Sequence, residues 1–237
     1  MFKKALVASA ALMSAGVASA AVTGNFAITS DYIFRGVDSS AGAAVQGGLD
    51  YSHESGLYAG IWMSNSTLGN SNGTGTDEID YYVGYGLGLS DGLSLDFGII
   101  NYNSDAPTGS TAGNNTINEL YVGVAGEAWD ATIYVGDRDD TTGGANSDLD
   151  EYIYLDLNYS MSTGETTSVD LHLGYLDEAD KTNTNLDAYD VSITYNVGDF
   201  GIGVTYRDAD EPNGTAPSGD DETANLFVSW GTEFDVK

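Results

Sequence analysis

The feature that most constrains this chain is an alternation of apolar and polar residues through residues 77–102. From Ile79 to Leu89 every second residue is apolar or aromatic, while the residues between them are acidic, tyrosine or glycine. Side chains alternate between the two faces of a β-strand, so this period predicts a strand with one apolar face. A tight turn at residues 90–92 and a second alternating run from Leu93 to Ile99 complete a hairpin. Each strand has about ten residues, the length that a tilted strand needs to cross a bilayer.

The same alternation recurs along the chain and predicts about twelve strands, the first over residues 23–35. No segment has a helical period, so the sheet is predicted to be antiparallel throughout. Short turns alternate strictly with long connections, which are rich in Gly, Asn, Thr and Asp. The long connections are residues 36–43, 65–75, 103–115, 138–149, 177–185 and 209–221. This order favours an all-β transmembrane up-and-down barrel over a Greek-key sandwich.

Large aromatic residues are predicted at both ends of the apolar faces, as two girdles at the headgroup levels of a membrane. If the first strand runs outward, the external girdle contains Tyr81, Tyr175, Tyr189 and Tyr206. The periplasmic girdle then contains Tyr51, Trp129, Tyr159, Tyr195, Phe200 and Trp230.

The N-terminus predicts export. Lys3 and Lys4 precede an apolar run over residues 5–17, and Ala18-Ser19-Ala20 fits the small-x-small rule for cleavage. We expect a signal peptide at residues 1–20 and a single outer-membrane barrel domain at residues 21–237 of a Gram-negative bacterium. The chain has no cysteine, which excludes disulfides, thiol chemistry and thiolate zinc sites.

The net charge of the chain limits the classes of partner that it is expected to bind. The chain has 36 acidic and 7 basic residues, a net charge of −29. Such a surface repels nucleic acid and attracts cations, so we expect no nucleic-acid partner. The expected partners are outer-membrane lipid and lipopolysaccharide and small polar or cationic solutes, and the barrel is expected to be a monomer.

Two segments carry a family resemblance. The sequences TSDYIFRG at residues 29–36 and AVQGGLDYSHESGLYAGIW at residues 44–62 resemble the opening of the TorF family of porins, earlier catalogued as a proteobacterial protein of unknown function. The resemblance implies a Gram-negative outer-membrane protein and supplies no site residues. One departure is the C-terminus, because outer-membrane barrels usually end on an aromatic residue and this chain continues past Phe234 to Lys237.

The polar residues of the alternation face the inside of the predicted barrel, and they include carboxylates from many strands. These carboxylates are Asp50, Glu78, Asp80, Asp96, Glu119, Asp156, Asp170 and Asp190. A lumen lined in this way predicts a cation-preferring porin or channel for small hydrophilic solutes. Inward glycines such as Gly84 and Gly203 are expected to leave space in it. The alternative is a non-conducting structural or binding barrel, filled by its own tyrosines, whose acidic external loops bind divalent cations, lipopolysaccharide or a partner.

Arg35 and Arg207 are the two basic residues predicted inside the barrel, close together near its external end. With the acidic strands opposite, they would set up a transverse field across a constriction. The alternative is local ion pairing, of Arg207 with Asp190 and of Arg35 with Asp31.

Enzyme and metal signals are weak. Ser168, Asp170 and His172 share one strand face, but side chains two residues apart point the same way about 7 Å apart, which does not build a catalytic triad. Residues 137–143 resemble a calcium loop, yet the glycine is one position late and no helices flank it. We therefore predict no enzyme activity, no cofactor and no dedicated metal site.

Overall fold

The computed structural model describes residues 20–40, 42–66, 76–89, 92–104, 115–140, 152–178, 186–210 and 222–236. Within these residues, twelve long strands close into one barrel and two short strands form a separate hairpin. These residues contain no helix that is long and apolar enough to cross a membrane. The strands are β1 (Ala21–Thr29), β2 (Ile33–Phe34), β3 (Val37–Asp38), β4 (Ala44–Ser52), β5 (Leu57–Ser66), β6 (Thr76–Gly88), β7 (Ser94–Ser104), β8 (Asn115–Ala125), β9 (Trp129–Asp140), β10 (Tyr152–Ser162), β11 (Thr167–Glu178), β12 (Leu186–Val197), β13 (Phe200–Asp210) and β14 (Glu222–Asp235).

Each barrel strand pairs antiparallel with its neighbours in the chain, and β1 closes the barrel against both β4 and β14. The closing register runs from Thr23 opposite Asp235 to Thr29 opposite Ser229. The tight turns lie together at one end of the barrel. One of them joins β12 to β13, and its Gly198 has a φ of 59°. The predicted antiparallel up-and-down barrel of twelve strands is confirmed.

The two faces of the wall have opposite chemistry. On β6, Tyr81 is 51% exposed and Leu87 42% exposed on the outer face, while Glu78 and Asp80 are 1% and 5% exposed on the inner face. The same alternation places apolar side chains outside on the other long strands, among them Val45, Ile133, Leu171, Val191 and Val228. The described wall thus has an apolar outer belt around a polar and aromatic interior.

The predicted girdle residues face outward in pairs across neighbouring strands. Tyr175 lies opposite Tyr189, and the Tyr189 and Tyr206 rings are 6.1 Å apart. At the other end Tyr159 lies opposite Trp129, and Phe200 opposite Trp230. Aromatic side chains therefore border the apolar belt at both of its ends.

The first strand is shorter than predicted. β1 ends at Thr29, and Tyr32, which in a strand over residues 23–35 would share the outer face with Phe26 and Ile28, is 4% exposed. The Val228 N–H donates to the Ser30 side-chain hydroxyl at 2.9 Å, and the Thr29 hydroxyl donates to the Asp31 carbonyl at 2.8 Å. These bonds end the regular pairing, and the chain then turns into the barrel.

Candidate functional site

Residues 30–40, which we call the inner hairpin, enter the barrel. Phe34 of β2 lies opposite Val37 of β3, and Arg35 and Gly36 between them have φ angles of 52° and 77°. Positive φ at both central residues is the geometry of a type I′ turn. The Tyr32 ring lies 5.9 Å from Trp62, and the Phe34 ring 5.4 Å from Tyr102. The hairpin therefore packs on the inner wall and presents Arg35 at its tip.

Arg35 forms a two-pronged ion pair with Glu119 of β8. Its Nη2 donates to Glu119 Oε2 at 2.7 Å, and its Nη1 donates to Oε1. The side chains of Arg35 and Glu119 are 8% and 0% exposed. In the barrel order, four strands separate β1 from β8 on one side and six on the other. The pair therefore connects a segment that leaves one wall to the wall across the lumen.

Aromatic rings surround the Arg35 guanidinium. Its Cζ lies 4.6 to 5.9 Å from the ring centroids of five side chains, which we call the aromatic cage: Phe34, Tyr102, Tyr134, Tyr152 and Tyr154. The faces of aromatic rings attract cations at such distances. An arginine guanidinium is always charged in proteins at physiological pH, so the rings and the Glu119 carboxylate surround a cation.

All eight predicted carboxylates lie on the inner face. Six are 5% exposed or less, and Asp50 and Asp170 are half-buried. The Tyr58 hydroxyl donates to Asp96 at 2.7 Å, and the Tyr82 hydroxyl donates to Asp50. Ser160 donates to Asp170 at 2.6 Å. Carboxylates of the lumen are thus hydrogen-bonded to neighbouring side chains, and their part in selectivity stays a prediction.

The two arginines lie near each other but differ in setting. Arg207 Nη1 donates to the Gly36 carbonyl at 3.2 Å, which places it beside the turn that carries Arg35. The predicted transverse field requires Arg35 to lie across the lumen from the acidic wall. Arg35 instead contacts that wall at Glu119. The sequence suggested Asp31 as a partner of Arg35 and gave no sign of the pairing with Glu119. The alternation through residues 30–35 predicts a wall strand, which hides the turn that carries Arg35 to β8.

Several inward glycines seat aromatic rings, which corrects, for these positions, the expectation that they leave space. Tyr58 lies over Gly84 and Tyr82 over Gly60, each directly across a strand pair. Tyr152 lies over Gly136 in the same way, and Phe227 over Gly203. A Cβ at any of these glycines would collide with the ring, so glycine lets the ring lie against the backbone. Aromatic side chains therefore occupy much of the described interior.

His172 does not join the triad that its strand neighbours suggested. Its Nε2 lies 2.7 Å from Asp190 Oδ2, and its Nδ1 lies 3.2 Å from Asp156 Oδ1. Ser168 and Asp170 contact each other at 3.4 Å, apart from this histidine cluster. Across the ranges that the structure describes, no three His, Cys, Asp or Glu side chains are grouped to hold a metal ion. The calcium-like loop at residues 137–143 extends outside the described residues.

Comparisons with known proteins agree on the architecture. The sequence matches, over residues 14–228, the family described as "Bacterial protein of unknown function (Gcw_chp)". No curated protein matches the chain. The COG4313 outer membrane channel from Pseudomonas putida F1 is similar in structure, with a TM-score of 0.54, 14% identity and coverage of 94% of this chain and 98% of that one. The KdgM porin is similar with a TM-score of 0.50, 7% identity and coverage of 91% and 99%. At these identities the likeness shows a shared fold, and the likeness to the TorF family stays a resemblance.

Proposed function

The chain belongs to the Gcw_chp family, a bacterial family of unknown function, and we propose that its barrel is an outer-membrane channel for passive diffusion of small hydrophilic solutes. The observation that carries the proposal is the inner hairpin. A surface segment folds into a polar lumen and pairs with the opposite wall through Arg35 and Glu119. A segment in that position narrows a pore and selects what passes.

Location in a membrane is supported by the outer surface. The apolar side chains of the wall are exposed, and aromatic pairs such as Tyr159 with Trp129 border them. Water would not stabilise so broad an apolar surface, whereas lipid would. A signal peptide at residues 1–20 would deliver the chain to the periplasm, from which outer-membrane barrels insert. The similar folds of the Pseudomonas putida channel and the KdgM porin agree with this location.

A preference for cations is the finer part of the proposal. The eight predicted carboxylates and that of Asp130, which accepts a hydrogen bond from Asn158, line the described lumen, against the two guanidinium groups of Arg35 and Arg207. Pairing with Glu119 neutralises Arg35, so the remaining charge on the wall is predominantly negative. Fixed charges inside a narrow lumen are less screened than charges on an open surface. Small cations and neutral or zwitterionic solutes should therefore pass more readily than anions.

A second candidate is a barrel that does not conduct and serves as a structural or binding protein. It is favoured by the rings that cover the inward glycines and by the hydrogen-bonded carboxylates. Its proposed ligands are divalent cations, lipopolysaccharide or a partner at acidic external loops, most of which lie outside the described residues. The two functions make opposite statements about ion flow.

Conductance of the refolded protein in planar bilayers separates the two functions. A channel should give discrete current steps smaller than those of a wide general-diffusion pore, because the inner hairpin narrows the lumen. In a potassium chloride gradient, the reversal potential should have the sign of cation preference. Bilayers that stay silent with the wild-type barrel and also with the Arg35→Gly variant would favour the non-conducting barrel. An anion-selective current would overturn the finer proposal alone.

A further inference from the structure

The groups that hold Arg35 belong almost entirely to the barrel wall. Glu119 lies on β8, Tyr102 on β7, Tyr134 on β9, and Tyr152 and Tyr154 on β10. These strands are neighbours in the barrel, so one patch of wall provides the carboxylate and four rings of the aromatic cage. Phe34 alone comes from the inner hairpin. The site should therefore persist when the Arg35 side chain is absent.

Contacts within the wall fix the shape of this patch. The Tyr152 hydroxyl donates to Glu119 Oε1 and orients the carboxylate, while the Tyr152 ring rests on Gly136. The Tyr134 ring lies 5.7 Å from Tyr121 and 6.1 Å from Tyr154, in a continuous row. Glu119 and Tyr134 are 1% and 4% exposed. A carboxylate and rings that are held by each other need little rearrangement to receive a ligand.

Arg35 itself sits in a backbone conformation that its residue type rarely adopts. Its φ of 52° lies in the left-handed region, which favours glycine over residues with a Cβ. A type I′ turn would form more readily with glycine or asparagine at this position. The side-chain contacts of the guanidinium therefore offset the unfavourable backbone conformation. Arginine at this position is explained by the Glu119 carboxylate and the aromatic rings that its guanidinium binds.

We propose that Glu119 with Tyr102, Tyr134, Tyr152 and Tyr154 forms a guanidinium-binding site in the lumen, which Arg35 occupies as an internal ligand. Solutes that carry a guanidinium group compete with Arg35 for it. The chemistry favours guanidinium over ammonium because the planar fork bonds both carboxylate oxygens, stacks on rings and is weakly hydrated. The inference deepens the proposed channel function, on which it rests for the access of solutes, by naming a solute class.

The test is rescue of a vacated site. Arg35→Gly removes the internal ligand and keeps the positive φ of the turn. In detergent micelles, methylguanidinium should raise the Tm of this variant saturably, with a Kd in the millimolar range. Methylammonium should bind at least tenfold more weakly, and urea at the same low concentrations should not raise the Tm. The double variant with Glu119→Gln should lose at least tenfold in affinity.

Matched variants keep the outcome clear. Arg207→Ala, which removes the other lumen arginine outside the aromatic cage, should show no rescue by methylguanidinium. If Arg35→Gly does not fold, Arg35→Lys provides a second test, since lysine keeps the charge without the planar fork. Equal rescue of the single and double variants, or rescue by methylammonium as strong as by methylguanidinium, would overturn the proposal. Binding of methylguanidinium without bilayer current would support the site and reject the channel. Current without binding would support the channel and reject the site.

Discussion

Arg35 and Glu119 meet inside the barrel although they stand 84 positions apart in the chain. The contact joins the inner hairpin to the β8 wall, and both carboxylate oxygens accept a hydrogen bond. Neither side chain reaches solvent to a large extent, at 8% and 0% exposure. A buried ion pair therefore holds the tip of the hairpin against the β8 wall, in addition to the ring contacts of Tyr32 and Phe34.

Replacing Glu119 by Gln should release the inner hairpin. Loss of one partner of a buried ion pair costs roughly 3–5 kcal/mol when the other charge stays buried. The hairpin can avoid part of that cost by moving Arg35 toward water, so we expect a smaller loss of stability together with a wider lumen. Single-channel conductance should rise, and urea unfolding should show the loss of stability.

Asp96→Asn is the matched control for that substitution. Asp96 is 3% exposed in the lumen and accepts a hydrogen bond from Tyr58, away from the hairpin. It should change conductance much less than Glu119→Gln. Equal conductance of Glu119→Gln and the wild type would show that the ion pair does not hold the constriction.

The barrel could be predicted because its signals are local. Alternation along each strand sets the two faces, and the order of short and long connections sets the topology. The inner hairpin could not, because Tyr32 and Phe34 continue the alternation of β1 and look like a longer strand. What ends β1 is the bond from the Val228 N–H to the Ser30 side-chain hydroxyl, which replaces a backbone pairing between the two ends of the barrel sheet.

In the interior of the barrel, too, the sequence predicts local features but not contacts between distant residues. The sequence predicted the inward parity of the carboxylates, since parity depends on neighbours two positions away. It did not predict the partners, because the pairing of Tyr58 with Gly84 or of Arg35 with Glu119 requires the register across strands. Some inward glycines carry a usable signal, because Gly60, Gly84, Gly136 and Gly203 each lie opposite an inward aromatic residue on a neighbouring strand.

Gly60→Ala should destabilise the barrel. A Cβ at this position would collide with the Tyr82 ring, which rests on the glycine. Overpacking of this kind typically costs about 1–3 kcal/mol. Urea unfolding in detergent or liposomes should report this loss. Gly231→Ala is the control, since the nearest atom to its Cβ would be Ala27 Cβ at 3.4 Å, an ordinary contact. Similar unfolding of the two variants would show that the ring is not seated as described.

The orientation of the barrel predicts which connections meet the cell exterior. An epitope tag inserted between β9 and β10 should be detected by antibody on intact cells, because long connections face outward in outer-membrane barrels. A tag in the turn between β8 and β9, at Gly126–Ala128, should be detected after the outer membrane is permeabilised. The reverse pattern would show that the short turns face outward.

Selectivity should follow the carboxylates of the lumen. Replacing Asp80, Asp96 and Asp156 together by asparagine should weaken the cation preference, because it removes three carboxylates from the inner face and leaves polar groups of similar size. The reversal potential in a potassium chloride gradient should move toward zero, while heat-modifiable gel mobility shows that the barrel still folds.

Glu54→Gln in the turn after β4 removes an exposed carboxylate outside the lumen and should leave the potential unchanged. The Debye length is about 8 Å at physiological salt, so an effect due to surface charge would fade as salt rises, whereas the lumen effect should persist. An unchanged potential in the triple variant would mean that these aspartates are neutral or fully paired, and that other groups set the selectivity.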